Sequence, residues 1–289
     1  MDMAKFLLGK NLFIDLKSGL QYFSEYASRM EQVKELGYET VFGELKRASS
    51  EYQIISNNIF TVTNKKENID IQEGSVVKLN LSGSMMLEDG LCHVGVRSVA
   101  DSLLRYKNDQ RVSGAILEIN SGGGESSAGE YFYTAIKTFG KPVIAIGRTV
   151  GSAAYLTACS CTEILASSEL SEFGSIGAYI PINKEVIDYL RETMDYVYSD
   201  LSDEKNKGFR DYIEGNKQSL REDLNLFVEE FHNIVKSNRP LKGDIENTLR
   251  GGMFLAKEAL NRGLIDGIGD ETEALKRLRI VEAFRDGQL

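Results

Sequence analysis

Ser152 stands where two patterns meet. The apolar run Val143 to Ile146 leads through Thr149-Val150-Gly151 to the serine, and Ala153-Ala154-Tyr155 then opens a helical stretch. A serine in that place is commonly an N-cap, its hydroxyl accepting from an early helical N–H. It is also how a nucleophile is held: on a sharp strand-to-helix turn, where the first helical N–H groups and the helix dipole would stabilise an oxyanion. Gly151, Ala153 and Ala154 are small enough to let a substrate backbone come close. On the residue types alone both readings stand.

A second feature bears on the choice. Gly122-Gly123-Gly124 follows the strand-like Ala115 to Ile119, and ligands of open α/β sheets bind at the carboxyl ends of strands. Glycines admit positive φ and close backbone approach, so bare N–H groups can face an oxyanion or an extended peptide. The run is no Walker loop, having no Gly-Lys-Ser/Thr at the required spacing. It is no dinucleotide fingerprint either, since Ser127 occupies the third glycine's place. A plain tight turn is the other reading.

An attacking serine needs a base. The chain has only two histidines, His93 in a loop and His232 beside an apolar helical seam, and both suit structural or solvated roles better than a Ser-His-Asp triad. A lysine can serve if burial lowers its pKa enough to keep it neutral. The segment YVYSDLSDEKNKGFRDY, after the strand-like Tyr196-Val197-Tyr198, offers Lys205 and Lys207. By composition both also read as surface charges of a polar loop.

The elements that must position these residues alternate. Strand patterns at Val76–Leu81, Ala115–Ile119, Val143–Ile146 and Glu163–Ala166 are separated by helical stripes at Val96–Tyr106, Ala128–Phe139 and Ala153–Cys161, which implies an α/β fold with mostly parallel pairing. Gly140-Lys141-Pro142 ends the second helix. The loop SGSMMLEDGLCHVG is expected to expose Met85, Met86 and Leu87 toward a substrate groove. One long helix is expected from Gly208 to Ser237, its seam Leu220, Leu224, Phe227, Phe231 and Ile234 serving core or subunit contact. Shorter helices follow at Lys242–Leu249 and Ala256–Arg262, and a last one begins near Thr272. Residues 1–74 read as a mainly helical extension: an amphipathic helix between Leu16 and Leu36, a short strand Ile59–Val62, and a polar linker NKKENIDIQEG before a core of residues 75–289. A packed layer, a pro-segment and a docking arm are the readings open for it.

The bulk numbers set limits. The 289 residues are 42% hydrophobic and 27% charged, ample for a core. A formal charge of −9 argues against nucleic-acid binding. Three cysteines (Cys92, Cys159 and Cys161) make a disulfide framework a poor fit and suit buried thiols. No Cys/His set has zinc spacing, so no metal is expected. No run approaches a membrane span, and the N-terminus lacks a long apolar h-region. The expectation is a soluble, cytoplasmic protein.

The order Glu118-Ile-Asn-Ser121-Gly-Gly-Gly, Gly151-Ser152-Ala-Ala-Tyr155, Gly174-Ser175-Ile-Gly177 and Leu255-Ala-Lys-Glu-Ala-Leu-Asn-Arg-Gly-Leu-Ile-Asp266 resembles the signal peptide peptidase A family of serine proteases, which includes the phage capsid-maturation protease C. The resemblance covers about Val76 to Leu278. It implies a Clp/crotonase-type fold and an ATP-independent endopeptidase with a Ser/Lys dyad and no cofactor. Ser152 matches the nucleophile, with Gly151, Ala153 and Ala154 departing from the family's Ala-Ser-Gly-Gly. Gly123, Gly124 and Ala153 match the oxyanion-hole positions, and Ser175 the serine that supports the lysine. Ser199-Asp200 stands for the family's Ser-Gly, but the lysine comes two residues late. Lys205 is the better match and Lys207 the alternative. The resemblance further implies a homo-oligomeric ring acting on polypeptide, with scaffold or capsid protein of a phage head as substrate. A cytoplasmic housekeeping peptidase, a crotonase-type coenzyme A thioester enzyme and a catalytically silent assembly protein are the rival readings.

Overall fold

The computed structural model describes residues 12–14, 31–32, 34–35, 52–56, 59–63, 71–89, 94–182, 184–285 and 287. Their strands are β1 (Leu12–Ile14), β2 (Tyr52–Ser56), β3 (Ile59–Thr63), β4 (Ser75–Ser82), β5 (Val112–Ser121), β6 (Gly123–Glu125), β7 (Val143–Gly151), β8 (Glu163–Ala166), β9 (Glu172–Gly174), β10 (Met253–Leu255) and β11 (Gly267–Ile268). Helices α1 (Val96–Leu104), α2 (Ser126–Phe139) and α3 (Ala153–Ala158) cross over between the central strands. After them come α4 (Lys184–Thr193), α5 (Lys207–Ile213), α6 (Gln218–Asn238), α7 (Ile245–Thr248), α8 (Ala256–Asn261) and α9 (Glu271–Arg285).

The main sheet runs β10-β9-β7-β5-β4-β2-β3, with β8 between β7 and β11. Pairs β4–β5, β5–β7, β7–β8, β7–β9 and β8–β11 are parallel, so the α/β class with a mostly parallel sheet is as expected. Both faces are covered, which is why β5 reads as an unbroken apolar run and not as an alternation. Along it successive side chains serve opposite faces. Ala115 and Leu117 join the large cluster under α1, α2 and α3, while Ile116 packs with Val76, Ile144 and Leu165 under Ala274 and Leu278 of α9.

Several expectations are revised. Met85 and Met86 are buried at 1% and 3% exposure, not presented to solvent. Gly83, at φ 79°, turns the chain so that Met85 bridges Gly124, and the Met85 side chain joins the main core cluster. The long helix is two, α5 and α6, because Gly215 at φ 94° ends the first in a left-handed turn. Residues 196–198 are not a strand, and Val197 is 93% exposed. The strand expected at Ile59–Val62 is present as β3, and with β2 it extends the main sheet antiparallel from β4. Residues 31–32 and 34–35 are helical. The rest of the helix expected over Leu16–Leu36, most of the polar linker, Cys92 and His93 lie outside the described residues.

Candidate active site

Parallel strands β4, β5 and β7 all end on one side of the sheet, and the candidate residues gather there. Ser152 ends β7 at φ 53°, ψ −119°, a conformation that costs a residue with a Cβ on the order of 1–3 kcal/mol. Its hydroxyl makes no capping bond to α3, so the N-cap reading does not describe it. Its backbone is fixed at both ends: the N–H donates to Gly174 O at 2.9 Å, and its carbonyl accepts from Leu156 N at 2.9 Å. The strand-to-helix turn is therefore held by hydrogen bonds from a neighbouring strand and from its own helix.

The glycine run lies against it. A Cβ on Gly151 would sit 3.1 Å from Gly122 O, so the two backbones are nearly in contact. Gly129 of α2 plays the same part toward Ala153, where a Cβ would come 2.9 Å from its carbonyl. The amides of the run are engaged. The Gly123 N–H donates to Ser121 Oγ at 3.1 Å, and the Ser121 hydroxyl donates to Gly83 O at 2.6 Å. Met85 N–H donates to Gly123 O at 2.9 Å, and Glu125 N–H to Met85 O at 2.7 Å.

The third turn closes the group. Gly151 is register partner of Gly174, and Ser175 follows at φ 52°, its N–H donating to Gly252 O at 2.8 Å. Only glycine fits at 174, for a Cβ there would lie 2.2 Å from Gly252 O. His232 of α6 packs near the carbonyls of Leu249 and Ile176, the latter next to Ser175. Burial, the largest influence, pulls its imidazole below the ordinary value, and its Nε2 finds no hydrogen-bond partner among the described residues.

The structure thus brings together Ser152, Ala153, Gly122 to Gly124 and Ser175. It leaves both lysines on an exposed segment. Lys207 pairs with Glu204 at 2.8 Å, and that hydrogen bond raises its pKa, the direction opposite to what a proton acceptor needs. Helix α5, which follows Lys205, packs chiefly on α6.

Three contributors were not read from the sequence. The Ser121 hydroxyl orients the turn, the Met85 backbone braces it, and Arg239 lies buried beneath α3. Arg239 is 3% exposed in its side chain and pairs with Asp266 at 2.8 Å, whose other oxygen accepts from Ile164 N at 2.7 Å. Tyr155, fully buried above them, donates to Leu264 O at 2.8 Å. The signal for Arg239 was present: it continues the stripe Phe231, Val235 by four residues, and a charge on a buried stripe implies a partner.

A groove of about 730 Å³ lies between α2 and α6. Leu156, one helical turn after Ser152, lines it with Phe227, Phe231 and Ile234, and Glu130 and Glu230 add charge.

Residues 135–284 match the model of peptidase family S49. The chain belongs to peptidase family S49. The matched stretch includes Ser152, Ser175, both lysines and Asp266, and begins after the glycine run. Among curated relatives, Protease 4 of Haemophilus influenzae is 26% identical over 192 residues, 64% of this chain and 31% of that protein. A candidate signal peptide peptidase SppA of Enterococcus faecium is 26% identical over 248 residues, 80% of this chain and 71% of its own. The chain thus spans less than a third of the first relative and under three-quarters of the second. Among solved structures, a ClpP1 variant from Listeria monocytogenes aligns over 68% of this chain and 94% of its own, at 15% identity and TM-score 0.44. An enoyl-CoA hydratase/isomerase family protein from Silicibacter pomeroyi aligns over 75% and 80%, at 14% and 0.43. Among the described residues of this S49 chain no helix is long and apolar enough to cross a membrane.

Proposed function

We propose that this chain is a serine endopeptidase of polypeptide substrates in which Ser152 is the nucleophile and Lys205 the base. The observation that carries the reading is the strained, uncapped Ser152 at the head of α3, packed against the glycine run at Gly122. In the first step Ser152 Oγ bonds to the peptide carbonyl carbon while a neutral lysine takes the hydroxyl proton. The negative oxygen is met by the N–H of Ala153 and by that of Gly123 or Gly124, each first released from its resting partner, Ser121 Oγ for Gly123 and β1 for Gly124, with the positive end of α3 behind them. Collapse breaks the C–N bond and the lysine returns the proton to the leaving amine. Water, deprotonated by the same lysine, then attacks the acyl carbon; the bond from Ser152 Oγ to that carbon breaks, and the lysine returns the proton to Oγ. No nucleotide or cofactor takes part in this scheme.

Membership of S49 supports a peptidase. The groove lined by Leu156, Phe227 and Phe231 supports a substrate that carries apolar side chains. Ser175 follows β9, whose Gly174 is the register partner of Gly151, and this supports it as the residue that accepts from the lysine. Both lysines sit on exposed backbone, and the apolar Tyr196, Val197 and Leu201 beside them are exposed too. Both features support a homo-oligomer in which a neighbouring copy covers this segment and desolvates the lysine. The resemblance to protease C nominates phage scaffold or capsid protein as the substrate to try first.

The test compares wild type with Ser152→Ala, Lys205→Ala and Lys207→Ala on an unfolded protein and on scaffold protein, followed by intact-mass spectrometry. Losing the nucleophile should cost on the order of 10⁴-fold or more. Loss in Ser152→Ala and Lys205→Ala with retention in Lys207→Ala is the expected result. Loss with Lys207→Ala alone among the lysines would move the base by two residues. A wild type that cuts neither substrate would overturn the peptidase reading.

A further inference from the structure

We infer that the chain's own residues Leu12–Ile14, paired on the outer edge of β6, are an internal competitor that an extended polypeptide must displace from that edge. The inference deepens the peptidase reading, since it names what sits beside Ser152. It begins with β1, which pairs antiparallel with β6: Leu12 opposite Glu125, Phe13 opposite Gly124, Ile14 opposite Gly123.

The backbone of β6 says which groups that edge offers. In an antiparallel ladder, residues alternate between those that exchange both hydrogen bonds with their partner and those that exchange none. Gly123 gives its N–H to Ser121 Oγ and its carbonyl to Met85, and Glu125 gives its N–H to Met85. Both are committed to the inner side. Gly124 therefore turns its N–H and carbonyl outward, where Phe13 lies. Gly124 is also where a Cβ could not fit, for it would come 2.0 Å from Met85 O, so β6 is pressed against its inner brace and presents only its outer edge.

The direction of β1 adds the second link. It runs from Glu125 toward Gly123, and so toward the end of the turn where Gly122 meets Gly151 beside Ser152. A strand docked in that sense advances its backbone carbonyls toward the nucleophile, as a substrate's acyl side must. Strand addition takes its affinity from main-chain bonds and tolerates varied side chains. An intramolecular strand then competes at an effective concentration set by the chain that tethers it. Residues 12–14 are thus a built-in competitor that a substrate must displace.

The experiment uses the full chain in a Ser152→Ala background, so that no cleavage disturbs it. Phe13→Pro removes the N–H that pairs with Gly124 O. Leu12→Pro serves as control, because that N–H points away from β6 and proline is tolerated at such positions. Hydrogen exchange at Gly124 should be about tenfold faster in Phe13→Pro than in the parent and little changed in Leu12→Pro. A fluorescent peptide of residues 8–20 should bind Phe13→Pro by anisotropy and leave the parent unlabelled. With Ser152 restored, Phe13→Pro should lower KM several-fold with kcat unchanged. Equal Gly124 exchange in Phe13→Pro and parent, or equal peptide binding by both, would overturn the inference. Faster exchange and peptide binding without any cleavage would sink the peptidase reading and leave the docking edge standing.

Discussion

Ser152 occupies backbone that its side chain disfavours. At φ 53°, ψ −119°, a Cβ crowds the chain, and only the bonds to Gly174 O and from Leu156 N hold the residue there. Glycine has no such penalty. Ser152→Gly should therefore be more stable than Ser152→Ala by about 1 kcal/mol, or roughly 2–4 °C for a chain of this size, while both are inactive. Equal melting temperatures for the two would mean that the turn carries no strain. The buried thiols make a second residue-scale case. Desolvation pushes Cys159 up to about 12 and raises Cys161 further, so neither forms thiolate at neutral pH. Native protein at pH 7.5 should leave both unalkylated by iodoacetamide, and denatured protein should take label at each. Label at either in the folded chain would show that the α3 end opens. Of these residues the sequence disclosed Ser152 by its small neighbours and its place between strand and helix. It could not disclose the φ, because strain comes from the neighbouring strand and not from the local string.

At the scale of elements, what was legible follows from where periodicity has a single cause. The strands β4, β5, β7 and β8 and the helices α1 and α2 lie in a two-faced core, so each apolar stripe had one meaning. Where one pattern serves two environments, reading failed. Tyr196-Val197-Tyr198 has strand propensity and no sheet to join, and the stripe of α6 passes from groove at Leu224 and Phe227 to core at Phe231 and Val235. Methionines in a long loop suggested exposure because hydrophobicity alone does not report a turn folding back over β6. The Gly-Leu-Ile-Asp tail was read as a resemblance, and its physical reason is Arg239. Asp266 joins α6, β8 and the chain before β11 by pairing a buried guanidinium. Removing one partner of such a pair leaves a charge uncompensated and costs about 3–5 kcal/mol. Asp266→Ala should lower the urea midpoint by that equivalent, whereas Lys276→Ala, an exposed lysine paired with Glu273, should cost under about 1 kcal/mol. A midpoint unmoved by Asp266→Ala would show that the tail is held by packing alone.

At the scale of the whole molecule, the proposed lysine base makes a demand on the assembly. Lysine's ordinary pKa lies well above neutral, so a lysine acting as base needs it lowered. Burial disfavours the ammonium and can lower that value by several units, which makes desolvation the requirement. Among the described residues Lys205 is exposed. Beside it lies an apolar strip, Val197 at 93% and Leu201 at 95% exposure, with Met194 and Tyr189 of the preceding helix also open. Leaving that strip in water wastes the hydrophobic stabilisation of several side chains, about 1.5–3 kcal/mol each if fully buried. A second copy would recover it and desolvate the lysine in one contact. The double variant Val197→Asp/Leu201→Asp should then run as a monomer of 32.2 kDa by light scattering, keep its melting transition, and lose cleavage. Wild type should run larger and lose specific activity on dilution as the assembly dissociates. A wild type that is monomeric and fully active would mean that a single chain completes the site. The base would then have to come from closure of the 195–206 segment over Ser152 within the chain.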